Sequence, residues 1–208
     1  MNILVVGGSG FLGRHLIEEL LKKGHRVSYL SRHPGDGALF ASDKLSYIKG
    51  DLLKEDEIVL EDDWFDLLIN CVGAIKPSEL NKLNIVALKA CISLCQSYSI
   101  PKMVFISANA GYPAYLKSKR KAEDLIQTSG LRYLIVRPGL LYGGNRKASR
   151  IQANCLQLLD PLPFIHHFTS MIYPLKVSDV AITISDTITR FPEQKLLTLE
   201  DLRGKTSA

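Results

Sequence analysis

Val6-Gly7-Gly8-Ser9-Gly10-Phe11-Leu12-Gly13 decides the reading of this chain. The stretch carries GxGxxG as Gly8, Gly10 and Gly13, and GxxGxxG as Gly7, Gly10 and Gly13. Before it stands Asn2–Val6, an apolar run that reads as a strand, and after it Phe11–Lys23, an amphipathic helix by its spacing. Strand, glycine turn and helix in that order make an otherwise weak pattern specific. The leading glycines permit a tight turn, Gly10 lets the backbone approach a pyrophosphate, and Gly13 lets the helix pack close to the strand. The helix N-terminus then offers N–H groups and a positive dipole end to the phosphates. The expectation is a dinucleotide site on Gly7, Gly8, Ser9, Gly10, Phe11, Leu12 and Gly13.

The rest of the chain alternates strand and helix patterns. Val27–Ser31 and Leu45–Lys49 read as strands, and Phe65–Val72 as a strand buried on both faces. Glu79–Tyr98 reads as a long helix, Met103–Ser107 as a strand, and Tyr115–Thr128 as a helix closed by Gly130. Tyr133–Arg137 is a further strand, stopped by Pro138 and Gly139; Val177–Thr189 is a helix and Lys195–Leu199 a last strand. Repeated βα units imply a parallel sheet with helices on both faces. The expected fold class is α/β: a three-layer, Rossmann-type doubly wound parallel sheet with a short C-terminal substrate-side lobe, all in one domain over residues 1–208. The lobe is the apolar segment 143–176. From Ile151 to Leu175 its one charge is Asp160, and Pro161, Pro163 and Pro174 bar a single helix. A short helix over Ser149–Leu159 and an irregular apolar loop are expected, either capping the core or offering an apolar pocket or contact surface around Phe164 and Phe168. His166-His167 reads as a pair of loop residues.

The 208 residues are 46% apolar and 23% charged, which excludes a disordered chain, a collagen and a disulfide-dense miniprotein. No run of about 18 uncharged apolar residues marks a membrane span. The formal net charge is +5, and residues 101–150 hold ten Lys or Arg against Glu123 and Asp124. That local field suits an anionic ligand such as a phosphorylated cofactor. No basic run interleaved with aromatics points to nucleic acid. Cys71, Cys91, Cys95 and Cys155 form no CxxC pair and, with no secretory signal pattern at the start, a reducing, cytoplasmic setting is expected.

The second strand ends Tyr29-Leu30-Ser31-Arg32-His33-Pro34. An NAD site usually has an acid here for the ribose hydroxyls; this one has Arg32. A carboxylate repels a 2′-phosphate, whereas a guanidinium binds it with charge-assisted hydrogen bonds. NADP(H) is therefore expected rather than NAD(H).

Taken together, the chain resembles the short-chain dehydrogenase/reductase superfamily in its extended and atypical branches. The pieces stand in the family's order over most of residues 1–190. Gly50-Asp51-Leu52 resembles the acidic residue near the adenine. Asn70-Cys71-Val72-Gly73 resembles the motif passing the adenine ribose. Tyr115 and Lys119 match the YxxxK pair, and Arg137-Pro138-Gly139 with Tyr142-Gly143 resembles the nicotinamide-side loop. The nearest flavour is the atypical subgroup that includes the accessory subunit of respiratory complex I and proteins attached to ubiquinone biosynthesis. The resemblance implies that Tyr115 is the general acid/base and that Lys119 holds the nicotinamide ribose. It also implies that Lys119 lowers the tyrosine pKa, as an adjacent cation favours phenolate. The third family member is a hydroxyl just after the fifth strand. Ser107 is the candidate here, yet the usual place is Ala108, with Asn109 following.

The expectation is an NADP(H)-dependent oxidoreductase acting on a small or apolar carbonyl or alcohol. The alternatives are a non-catalytic NADP(H)-binding assembly or regulatory protein, peripheral to a respiratory or quinone-pathway complex, and a nucleotide-sugar epimerase-like enzyme. The chain is short for the substrate domain of the last. A monomer and a homodimer, through Glu79–Tyr98 and Tyr115–Thr128, are both compatible with these helix faces.

Overall fold

The computed structural model of this protein describes residues 1–60, 64–143, 173–193 and 195–204. Strand β1 (Asn2–Val6) is buried along its whole length, as an apolar run covered on both faces should be. It leads through the glycine turn into α1 (Phe11–Lys22), which buries Leu16, Ile17 and Leu20. There follow β2 (Arg26–Ser31), a 3-10 turn at Ala38–Ala41, β3 (Leu45–Lys49) and β4 (Leu67–Asn70). Next come α2 (Ala87–Ser97), β5 (Lys102–Ile106), α3 (Pro113–Gln127) and β6 (Arg132–Val136). The chain closes with β7 (Leu141–Tyr142), β8 (Leu175–Lys176), α4 (Val177–Thr189), β9 (Leu196–Leu197) and α5 (Leu199–Gly204).

Seven of these strands form one parallel sheet in the order β3-β2-β1-β4-β5-β6-β9. The alternation of strand side chains divides the core between its two faces. Ile3 and Val5 of β1 join the layer under α1 and α4, with Ile17 and Ile184. Leu4 and Val6 join the layer under α2 and α3, with Leu88 and Ile126. The expected doubly wound architecture is thus present. Strand order reverses between β1 and β4, and the ends of these strands, Val6 and Asn70, lie in register. In open α/β sheets a ligand binds in the crevice beyond that reversal.

The structure departs from the expected elements in three places. The single helix expected over Glu79–Tyr98 is a 3-10 turn (Pro77–Glu79), a π-helical stretch (Leu80–Val86) and then α2. Only Leu67–Asn70 of the run Phe65–Val72 pairs as a strand, although Phe65 is buried. Lys195–Leu199 shrinks to β9, because Thr198 and Asp201 start a helix. The Thr198 N–H and hydroxyl donate to Asp201 Oδ2 (both 2.8 Å), and the Asp201 N–H donates back to Thr198 Oγ1 (3.3 Å). Of the segment 143–176, residues 144–172 lie outside the described residues. So do the expected helix over Ser149–Leu159, Cys155, Phe164, Phe168 and His166-His167. The flanks of that segment, β7 and β8, pair in parallel with each other. Among the described residues no helix is long and apolar enough to cross a membrane.

Candidate cofactor and active site

The glycine turn is fixed by backbone. The Gly7 N–H donates to the Leu30 carbonyl (2.8 Å), and the Gly10 N–H to the Gly7 carbonyl (2.9 Å). Gly7 has φ +77°, and a Cβ there would lie 2.9 Å from Val72 Cγ2, so a side chain is refused twice over. At Gly13 a Cβ would come within 2.5 Å of the Gly7 carbonyl oxygen, which is the close helix-to-strand packing the motif implies. Gly10 caps α1 without a side-chain hydrogen bond, and no acid occupies the first turn. A helix N-terminus of this composition suits an anion.

Beyond the turn lies a cavity of about 280 Å³. Gly7, Ser9 and Gly10 line it from the turn, and Ser31, Arg32 and His33 from the end of β2. Gly50, Asp51 and Leu52 follow β3, Cys71, Val72 and Gly73 follow β4, and Leu83 comes from the π-helical stretch. Nine of the expected cofactor residues thus meet around one space: Gly7, Ser9, Gly10, Arg32, Asp51, Leu52, Cys71, Val72 and Gly73. Gly8 packs behind it against Tyr29 and Ile17. Leu12 and Gly13 are buried residues of α1 itself, and Phe11 is half-buried with its ring edge-on to His15. Pro138 and Gly139 stand apart from the lining. The Pro138 carbonyl accepts the Asn109 N–H, and Gly139 lies against Tyr173 and Leu199. A capless helix N-terminus, a turn only glycine can make and a basic rim at Arg32 fit a dinucleotide. Asp51 Oδ1 accepts the Leu53 N–H (3.0 Å), which fixes its own turn.

Gly73 joins this cavity to the second group of residues. A Cβ on Gly73 would lie 2.9 Å from Lys119 Nζ, so the lysine stands directly beneath the chain there. Tyr115 and Lys119 are one turn apart on α3, on one face as their spacing requires. Lys119 is 4% exposed; its Nζ donates to the Ile106 carbonyl (2.9 Å) and lies 5.0 Å from the Phe105 ring centre. Burial pushes its pKa down to about 8, against the pull of Glu123 and Cys71. Tyr115 is half-buried, its ring 6.0 Å from that of Tyr112. Burial, then Tyr112, raises its pKa, opposed by the Arg120 charge. This differs from the expected lowering by Lys119, whose charge burial itself disfavours.

Ser107 is buried, and its hydroxyl donates to the Glu123 carboxylate. Glu123, 2% exposed, also accepts Arg137 Nε (2.9 Å), Arg137 Nη2 (2.5 Å) and Arg120 Nη1. Burial alone would raise the Glu123 pKa, but the Arg137 and Ser107 hydrogen bonds and the Arg120 charge outweigh it and hold the carboxyl low. Ser107 thus belongs to a buried charge cluster that ties α3 to the end of β6. Arg120 Nη2 also donates to the Ala108 carbonyl (3.0 Å).

Asn84 was not singled out by its sequence. It is fully buried; its Oδ1 accepts the Ala74 N–H (2.9 Å), and its Nδ2 donates to the Ala74 carbonyl (3.0 Å) and Ser118 Oγ (2.9 Å). The Ser118 hydroxyl donates onward to the Tyr115 carbonyl (2.7 Å). The π-helical stretch carries this asparagine, and such stretches gather at functional sites. Its signal was an amide set within an apolar helical face. The Tyr112 hydroxyl donates to the Ile75 carbonyl, so the loops after β4 and before α3 meet across the same end.

A family model described as NAD(P)H-binding matches residues 7–158. The chain belongs to this NAD(P)H-binding family. It is 27% identical over 126 residues to mouse sterol-4-alpha-carboxylate 3-dehydrogenase, decarboxylating (58% of this chain, 33% of that protein). It is 26% identical over 207 residues to the ceramide reductase of Caulobacter vibrioides (97% of this chain, 65% of that protein). It is 26% identical over 141 residues to the photosystem II assembly factor Ycf39 of Cyanophora paradoxa (65% and 44%). The chain thus spans about a third of the sterol dehydrogenase and just under two thirds of the ceramide reductase. Among solved structures, a UDP-galactose 4-epimerase superposes with TM-score 0.70 at 18% identity (95% of this chain, 76% of that one). The oxidoreductase ylbE from Lactococcus lactis superposes with TM-score 0.72 at 15% identity (100% and 98%). These structures speak to the fold alone. The curated relatives of this NAD(P)H-binding family member thus include a dehydrogenase and a reductase as well as an assembly factor.

Proposed function

We propose that this chain is an NADP(H)-dependent oxidoreductase of one domain, acting on a small or apolar carbonyl or alcohol with Tyr115 as general acid/base. The observation that carries the reading is the junction at Gly73, where the lining of the cofactor cavity meets the lysine one turn from Tyr115. The bound nicotinamide supplies a hydride. The residues of the chain hold and orient the reactants. The glycine turn takes the pyrophosphate on the helix N-terminus, and Arg32 takes the 2′-phosphate. Lys119 holds the nicotinamide ribose, and the Tyr115 hydroxyl exchanges a proton with the substrate oxygen. Ser107 serves with Glu123 to position α3, and Asn109 follows Ala108, which stands at the place the family gives to a hydroxyl. Turnover of NADPH with a panel of apolar carbonyls tests this. Tyr115→Phe is expected to lower kcat by about 10²–10⁴ with cofactor affinity unchanged. A Tyr115→Phe protein that keeps full turnover sinks the assignment.

A second reading is supported by Ala108 and by the Ser107 hydroxyl being held by Glu123. It makes the chain a non-catalytic NADP(H)-binding assembly protein, and one relative, Ycf39, is named a photosystem II assembly factor. Under it, Tyr115→Phe leaves both cofactor binding and biological effect intact.

A further inference from the structure

Two ties hold the loop after β4 against α3, and they differ in kind. The inner tie is buried: Asn84 bonds the N–H and carbonyl of Ala74 and reaches Ser118, whose hydroxyl donates to the Tyr115 carbonyl. The outer tie is a single bond at the surface, from the Tyr112 hydroxyl to the Ile75 carbonyl, and Ile75 is 66% exposed. The two ties hold successive residues of the loop. Just before them, Cys71, Val72 and Gly73 line the cofactor cavity. Tyr112 is firmly anchored at its own end. It caps α3 from an extended backbone, Pro113 follows at the start of the helix, and its carbonyl accepts the Leu116 N–H (3.1 Å). Its ring stands 6.0 Å from that of Tyr115, tilted by 33°. The Tyr115 ring lies against the backbone of Gly111, so it keeps a seat of its own whether or not Tyr112 holds Ile75. The outer tie therefore runs from the wall of the cofactor cavity to the turn that carries Tyr115.

We propose that Tyr112 and Ile75 form a clasp across the mouth of the site, which opens to pass the nicotinamide end of the cofactor and so sets how fast the whole dinucleotide enters and leaves. The inference rests on the placing of the nicotinamide beside Lys119. The energetics suit a clasp. A neutral hydroxyl–carbonyl bond at the surface exchanges for bonds to water, so opening it costs little and strands no polar group. The Asn84 tie has no such freedom. Its amide is fully buried, and breaking it would leave the amide and both Ala74 backbone groups without partners. Asn84 therefore holds the wall, and Tyr112 is the part that yields. Motions of this kind gate ligand exchange rather than the chemical step. The bond uses no group of the cofactor, so the clasp shuts equally well before and after binding and slows arrival and departure alike. The adenylate half, between the glycine turn and the ends of β2 and β3, does not pass beneath it.

Stopped-flow fluorescence of the full chain with NADPH, and with the fluorescent adenylate etheno-AMP, tests the clasp. Tyr112→Phe keeps the ring and removes the hydroxyl. It is expected to raise the association and dissociation rates of NADPH together, by about three- to tenfold, the weight of one neutral hydrogen bond. The Kd for NADPH should stay within about twofold, and both etheno-AMP rates should keep their wild-type values. A merely structural role for the hydroxyl would read differently, because a disturbed site releases its ligand faster without taking it up faster. NADPH rates that do not change in Tyr112→Phe overturn the clasp and leave the placing of the nicotinamide standing. A rise in dissociation alone, with the Kd weakened in proportion, also overturns it and makes Tyr112 a contact or a prop. Rates that rise together for etheno-AMP as well as for NADPH uphold the clasp and sink that placing, since the adenylate would then pass beneath it too.

Discussion

The two ends of the site are made of different material. The glycine-turn end is made of backbone: Gly7 at positive φ, Gly13 with no room for a methyl group, and a helix N-terminus without a cap of its own. The Tyr115 end is made of side chains that hold one another: Glu123 with Arg137, Arg120 and Ser107, and Asn84 with Ala74 and Ser118. The first depends on the space that side chains leave, the second on the bonds that side chains make. Adding an atom should therefore damage the first end, and removing one should damage the second.

Glu123→Ala is the largest such removal. It leaves Arg137 and Arg120 facing each other without the carboxylate between them, and strands the Ser107 hydroxyl. Breaking a buried charge cluster in this way costs about 3–5 kcal/mol. The side chains of Arg137 and Arg120 are 28% and 38% exposed, so water relieves them and the lower end of that range is expected. Urea unfolding measures the loss. At a urea-free temperature where the variant is still folded, its affinity for AMP should match the wild type. Equal loss at both ends would mean that the two do not fold as separate layers of the site.

Lys119 gives the second effect, through pH. Its ordinary pKa of 10.5 falls to about 8 in the folded chain, because burial disfavours the charge. Between those values the unfolded chain holds a proton that the folded chain lacks, so stability rises with pH across that window. Below about pH 8 the cost of the buried charge is fully present. The shift corresponds to about 3 kcal/mol at most. Comparing wild type with Lys119→Met in urea from about pH 7 to pH 10 isolates this term. The difference should move in favour of wild type as pH rises. A flat difference would mean that the folded lysine keeps its proton, as the family's role for it at neutral pH would prefer.

The same division explains what could be read from the chain before its structure. The glycine turn was legible because its demands fall on consecutive residues, and an absent side chain is visible in a sequence. So were the buried strands, since Ile3–Val6 and Leu67–Ile69 are apolar runs whatever they pack against. The Glu123 cluster was not legible. Ser107, Glu123 and Arg137 come from three separate elements, and only the parallel register of β5 with β6 brings them together. Asn84 was hidden by the same logic. The sequence around it reads as ordinary helix, and the π-helical stretch that turns it toward Ala74 depends on tertiary bonds.

Gly13→Ala is the smallest change in atoms and should show the contrast most directly. The added methyl would stand 2.5 Å from the Gly7 oxygen and 2.7 Å from Gly8 Cα, and both are backbone. No flexible side chain can yield, so α1 must move away from β1 or the turn must open. Overpacking of this kind costs about 1–3 kcal/mol, less than the loss of Glu123. The damage is concentrated at the glycine turn and the head of α1, the place proposed for the pyrophosphate, so affinity for NADPH should fall at least about tenfold. Circular dichroism should show an unchanged helix content, with the Glu123 cluster untouched. If Gly13→Ala bound NADPH as well as wild type, the close approach at the turn would be a packing detail, and recognition would have to lie in Arg32 and the β2 rim instead.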